Sequence, residues 1–204
     1  MAAVMNNDIN FTDKLSFYKQ ELNELGILLT PPSINNSEEV FSVDSDKIIY
    51  ALGALKNVGI ESMRNIISVR NTGGDFEDIF DFANRVELRK IGKRSLEMLI
   101  YAGVFDEISN NRNQLFQSIE ILVEYSNICF SEKYTGQNNL FGETNNLLSY
   151  PDLKLIEDWN SSEKLKKEYE AIGFYLSAHP LDDYSKLFKS QKIEKFSELN
   201  EILK

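Results

Sequence analysis

The chain has 204 residues, 42% of them hydrophobic and 26% charged, enough length for one large domain or two small ones with a real core. A single cysteine, Cys129, and a single histidine, His179, exclude a disulfide framework and a Cys/His zinc site. No apolar run approaches the roughly 18 residues a membrane helix needs. The opening Met1-Ala-Ala-Val-Met5 is too short, and lacks the basic flank, for a secretory signal. A reducing cytoplasm, with no membrane partner, is the expected setting. The net charge of −10 weighs against nucleic acid as a global average, but phosphate contacts are local. Between Arg85 and Arg94 five cations stand against one carboxylate, Glu87, a local +4.

The spacing predicts a mainly α fold of short helices with one small β-hairpin. Residues 12–25 form an amphipathic helix with Thr12 as its cap and Leu15, Tyr18, Leu22 and Leu25 as its apolar stripe, stopped by Gly26. Ile27-Leu28-Leu29 is an extended run ending at Pro31-Pro32. Val40–Val43 and Lys47–Tyr50 form a hairpin about Asp44-Ser45-Asp46. Helices come next over 51–56, over 61–70 (burying Met63, Ile66 and Ile67) and over 76–85 (burying Phe76, Ile79, Phe80 and Ala83). Two more lie over 95–102 (burying Leu96, Leu99 and Ile100, capped by Gly103) and over 113–125. Residues 131–150 have no period and form a long loop. Trp159 anchors the last segment to the body. Asn160 and Glu163 open a helix to about Leu176, and Pro180 opens a last one burying Leu181, Tyr184, Leu187 and Phe188.

Three stretches carry candidate function. In the first, Lys56-Asn57-Val58-Gly59 joins two short helices as in a helix-hairpin-helix. Gly59 supplies a permissive backbone, Asn57 tolerates positive φ, and the N–H groups opening the second helix face a phosphate, with Lys56 adding charge. The second copy spans Asp78 to Gly103, where Arg89-Lys90-Ile91-Gly92-Lys93-Arg94 repeats the hydrophobic-Gly step inside the basic cluster. A tandem pair grips duplex DNA without reading its sequence. Ordinary helix–helix turns with solvated lysines are the bland alternative, and the pairing with the local +4 favours DNA. The third is Gln137-Asn-Asn-Leu140-Phe141, an amide and two apolar anchors within a polar segment. Spacing alone does not separate a tether for a partner's pocket from a loop folded back on the domain. His179 reads as a helix cap and Cys129 as a packing residue. No carboxylate pair or phosphate loop suggests catalysis or a bound metal.

Six blocks in order resemble the bacterial replicative DNA polymerase III alpha subunits: Ile27–Asn35, Tyr50–Gly59, Asp78–Phe82, Leu99–Asp106, Asn139–Gly142 and Glu170–Asp182. Asn57 and Ala178 stand where that family more often has Gly. The resemblance implies the end of a fingers region over 1–50, a tandem helix-hairpin-helix duplex-binding domain over 51–130, a clamp-binding loop over 131–158, and C-terminal helices over 159–204. Lys56 to Gly59 and Arg89 to Arg94 would then touch the DNA backbone, while Gln137, Leu140 and Phe141 bind the sliding clamp, the beta subunit. The family's catalytic aspartates and their Mg2+ lie in the palm, and an OB-type barrel comes after the helices. Neither is expected here, so the resemblance implies an inactive, cofactor-free, monomeric piece reaching other replicase subunits through its parent. A helix-hairpin-helix repair scaffold and a purely structural connector are the alternatives.

Overall fold

The computed structural model describes residues 1–135 and 150–182, with the side chains of 132–135 left aside. It is mainly helical, with one three-stranded sheet. In chain order come α1 (Ala2–Asn7), α2 (Thr12–Glu24), β1 (Leu28–Thr30), β2 (Ser42–Asp44), β3 (Lys47–Ile49), a 3-10 turn (Leu52–Ala54), α3 (Ile60–Gly73), α4 (Ile79–Arg85), α5 (Leu88–Ile91), α6 (Lys93–Tyr101), α7 (Arg112–Gln117), α8 (Ile119–Thr135) and α9 (Ser161–Ile172). Among the described residues no helix is long and apolar enough to cross a membrane. The expected clamp peptide Gln137–Phe141 and the last-helix residues Tyr184, Leu187 and Phe188 lie outside the described residues.

α2 matches the predicted span, but Phe11 holds its N-cap position and Thr12 makes no capping bond. The Thr12 methyl lies against Gly173 instead. Leu15 and Leu22 are buried, whereas Leu25, predicted inward, is 64% exposed because it is already past the last helical turn. There Gly26 N–H donates to Asn23 O and Ile27 N–H to Leu22 O, the paired bonds of a Schellman ending. The same pair recurs at Gly103 and Val104, which donate to Ile100 and Leu99.

The predicted hairpin is present as antiparallel β2 and β3, with Val43 opposite Ile48 and Asp44 ion-paired to Lys47 at 3.1 Å. The extended run after Gly26 adds β1 alongside β3 in parallel, with Leu29 opposite Ile48. Strand β2 starts at Ser42, two residues later than predicted. The reason is Asn6, whose side chain takes the N–H of Phe41 at 2.7 Å and donates to its carbonyl at 2.9 Å. Asn35 does the same to Phe76, at 2.9 and 3.0 Å. With both its backbone groups engaged, Phe76 stays outside the helix predicted to begin there. α4 begins instead at Ile79, capped by the Asp78 carboxylate, which accepts from Phe80 and Asp81 N–H. Its core residues are Ile79, Phe82 and Ala83. Phe80, predicted inward, is half-buried and stacks on Tyr150 at 4.5 Å.

The single helix predicted over 113–125 is two. Ser118, fully buried, donates its N–H to Gln114 and Leu115 carbonyls, and its hydroxyl accepts the Lys154 N–H at 3.1 Å. Residues 131–135, expected in the loop, belong instead to α8, which runs to Thr135, and residues 136–149 lie outside the described residues. Trp159 anchors its segment as predicted, buried with Tyr101 and Phe116 around it and Lys167 Nζ 4.3 Å from the Tyr101 ring centre. Asn160 caps α9 by accepting the Glu163 N–H at 2.9 Å. The helix stops at Ile172, short of the predicted Leu176, with Gly173 in the left-handed region at φ 99°. Beyond it the buried Glu168 carboxylate takes the Leu176 and Ser177 N–H groups, at 2.6 and 3.0 Å. His179 Nδ1 accepts the Leu181 N–H at 3.2 Å; Leu181, predicted inward, is 51% exposed, and beyond Asp182 the helix that His179 is expected to cap lies outside the described residues. Cys129 is buried and free.

One contiguous core runs from Met5 to Leu176. Within it Tyr50 is fully buried against Phe41 and Phe174, and its hydroxyl has no hydrogen-bond partner among the described residues. Burial first, then the Glu168 carboxylate, pushes its pKa up. A buried unsatisfied hydroxyl costs roughly 1–3 kcal/mol. Tyr50→Phe keeps the ring contacts and removes that cost, so it is expected to raise stability by about 1 kcal/mol in urea unfolding. A lowered midpoint would show that the hydroxyl has a partner in solution.

Candidate nucleic-acid interface

The first predicted hairpin opens on the 3-10 turn Leu52–Ala54 and not on an α-helix. Leu52 and Gly53 donate their N–H groups outward, to Glu38 and Glu39 carbonyls at 2.8 and 3.1 Å, so no α-helical ladder nucleates there. The turn itself corrects one expectation. Gly59 has ordinary extended angles, φ −81° and ψ 126°, and the positive φ of 57° falls on Asn57. Asn is the side chain that tolerates this best after Gly. Gly59 instead sits at the N-cap of α3, where no side chain among the described residues bonds the first-turn amides. The 14-residue α3 thus presents bare N–H groups at its positive end. Val58 is half-buried, and Lys56 is tied by its N–H to Ala171 O at 2.8 Å, with Nζ over the Tyr169 ring at 6.0 Å.

The second hairpin has an element the sequence did not announce. Between α4 and α6 lies the four-residue α5, so the immediate partner of α6 is Leu88–Ile91 and not the helix ending at Arg85. Ser126 of α8, fully buried, fixes it by accepting the Leu88 N–H at 3.1 Å and donating to Val86 O at 2.9 Å. Gly92, at φ 84° and ψ 145°, ends α5 and opens α6, again without a side-chain cap. A Cβ there would meet open space, so only the positive φ demands glycine. The two hairpins therefore place their left-handed residue differently: Gly92 directly precedes α6, whereas Asn57 lies three residues before α3.

The two tips touch. Ser95 Oγ, in the first turn of α6, donates to Asn57 O at 3.3 Å. The last turn of α9 lies against both, through Ala171 O to Lys56 and through Glu170 to Arg94 at 3.1 Å. Ser95, Ser126 and Glu170 were not singled out from the sequence. Ser126 alone left a trace there, a small polar residue on the buried face of α8 with Leu122 and Cys129.

The basic cluster is less bare than its sequence suggests. Arg85 serves the fold, donating to Val69, Gly74 and Asp75 carbonyls and to Asp81, with its guanidinium 4.5 Å above the Phe76 ring. Lys90 pairs with Glu87 at 2.6 Å, Lys93 with Glu120 at 2.8 Å, and Arg94 with Glu97 at 3.0 Å and Glu170 at 3.1 Å. These hydrogen-bonded carboxylates raise the pKa of Lys93 and of Arg94, and Lys93 in turn lowers that of Glu120. Arg89 is exposed and has no ion-pair partner among the described residues. Exposed pairs of this kind contribute about 0–1 kcal/mol, so a phosphate can displace them.

Residues 26–115, which include both hairpins, match the family model described as helix-hairpin-helix motif. The DNA polymerase III subunit alpha of Caulobacter vibrioides is 40% identical over 182 residues, 89% of this chain and 16% of that protein. Those of Borreliella burgdorferi and Campylobacter jejuni are 37% and 39% identical, covering 98% and 90% of this chain. The chain spans about a sixth of the length of these curated relatives, 16–17%. Over about nine-tenths of its length it is thus homologous to one segment of the DNA polymerase III alpha subunits.

Proposed function

We propose that this chain is a non-catalytic part of a DNA-directed DNA polymerase that holds duplex DNA by its backbone and tethers the enzyme to its sliding clamp. The observation that supports the first half is the contact between hairpin tips. Ser95 holds Asn57 so that the uncapped starts of α3 and α6 belong to one rigid surface. Two sets of helix N-terminal amides on one surface suit two phosphates, and backbone amides read no base sequence. In this reading Lys56 to Gly59 and Arg89 to Arg94 line the contact, and nucleotide transfer with its Mg2+ belongs to a palm elsewhere in the parent enzyme. Tethering rests on the peptide Gln137-x-x-Leu140-Phe141 alone. Its value is effective concentration: an enzyme held on a clamp rebinds its primer end before diffusing away.

Arg89→Ala with Lys90→Ala is expected to weaken binding to random duplex equally across sequences. It should also flatten the salt dependence of binding by roughly one to two units of slope. Unchanged affinity and slope would favour a structural connector. Gln137→Ala with Leu140→Ala and Phe141→Ala is expected to abolish binding to the sliding clamp, measured by surface plasmon resonance, while leaving the melting temperature within a degree or so of the parent. A large fall in melting temperature would mean that the pair packs against the chain's own core. Primer extension with Mg2+ is expected to yield no product from the 204-residue chain; incorporation by a clean preparation would move the active site into it.

A further inference from the structure

A notch of about 190 Å3 lies beside the second hairpin, lined by Lys93, Glu97, Phe116, Glu120 and Lys154 among others. A water's share of liquid volume is about 30 Å3, so the space admits a phosphate group with its hydration. Lys154 comes from the segment before α9, outside both hairpins. Its backbone is fixed on both sides: its N–H donates to Ser118 Oγ at 3.1 Å, and its carbonyl accepts from Gln114 Nε2 at 2.9 Å. The break between α7 and α8 therefore sets Lys154 near the start of α8, where Glu120 lies in its field. The Lys154 side chain is exposed and has no ion-pair partner among the described residues. Across the notch Glu120, with 82% of its side chain exposed, reaches Lys93 at 2.8 Å.

An exposed carboxylate paired with Lys93, in a notch that Lys154 also lines, occupies the position an anionic oxygen of a phosphodiester would take. We propose that this notch is a further backbone-phosphate contact for duplex DNA, formed by Lys93 and Lys154, with Glu120 as the carboxylate that fills it until a phosphate displaces it. The inference rests on the duplex-binding reading above. It extends the footprint from the hairpin tips to the segment that comes after the clamp peptide in sequence.

The test is equilibrium binding of the 204-residue chain to random duplex at several salt concentrations. Lys154→Ala is expected to weaken binding several-fold and reduce the salt slope by about one unit. Glu120→Gln is expected to tighten binding, and to do so more than Glu24→Gln, an equal change of net charge at the end of α2. All three side chains are exposed, so thermal melts should match the parent. If Arg89→Ala with Lys90→Ala weakens binding but Lys154→Ala does not, the notch is overturned and the hairpin reading stands. An equal gain from Glu24→Gln, or no gain from Glu120→Gln, overturns the role of Glu120. If the Arg89 and Lys90 substitutions also change nothing, duplex binding itself fails and takes the notch with it.

Discussion

Backbone polar groups without a ladder govern this structure. The helices are short and the sheet has three strands of three residues each, so a large share of the N–H and C=O groups lie at element ends or in irregular chain. Buried, each must still find a partner. Side chains supply them. The Arg70 guanidinium, its residue 5% exposed, reaches Ile34 O at 3.2 Å, Ser37 O at 2.7 Å and Glu38 at 2.7 Å, so residues 34–38 wrap around a cation delivered by α3. Asn6 and Asn35 stand in for missing strand neighbours at Phe41 and Phe76. Ser118, Ser126 and Glu168 perform the same service at helix breaks.

These substitutions also position the candidate interface. Arg70 and Glu38 hold the loop whose carbonyls take the Leu52 and Gly53 N–H groups, and that diversion makes the first hairpin open on a 3-10 turn. Ser126 holds α5, and so sets the angle at which Gly92 launches α6. The hairpin tips are thus clamped from behind by buried polar contacts while their helix-start amides stay uncovered. Contacts of this kind preorganise a surface, and preorganisation removes part of the ordering cost of binding.

The range of the forces involved decides how much of the molecule is legible in its sequence. Helix spans set by periodicity and by local caps, such as Asn160 with Glu163 or the Gly26 and Gly103 endings, are legible because their causes lie within a few residues. So is the β2–β3 turn. Several of the errors have long-range causes. Asn35 acts on Phe76 from 41 residues away, Ser118 on Lys154 from 36, and Ser126 on Leu88 from 38. No window along the chain holds both members of such a pair. The site shows the same division: the two hydrophobic-Gly steps are visible in the sequence, whereas their contact through Ser95 and their brace on α9 are not. Residue type admits the positive φ at Asn57 but also admits it at Gly59, which is extended, so its position is only half legible.

The charge pattern shows why local sequence sums mislead. Five cations in ten residues read as a basic patch, yet Asp81, Glu97, Glu120 and Glu170 lie outside that window and fold onto it. Arg85 turns into the fold with 18% of its side chain exposed, and three of the remaining four are paired. An acidic protein of net charge −10 thereby carries a nearly neutral face at its hairpins. Neutrality there does not argue against phosphate. Exposed ion pairs are weak, and exchanging a carboxylate for a phosphodiester keeps the pairing while releasing counterions from the nucleic acid. The pre-paired carboxylates instead set a threshold. A lone anion gains little by displacing them, whereas a duplex that meets both helix starts at once gains several contacts for one ordering cost. If the face binds duplex DNA as proposed, it discriminates by the spacing of phosphates along a backbone, which is what sequence-independent recognition requires.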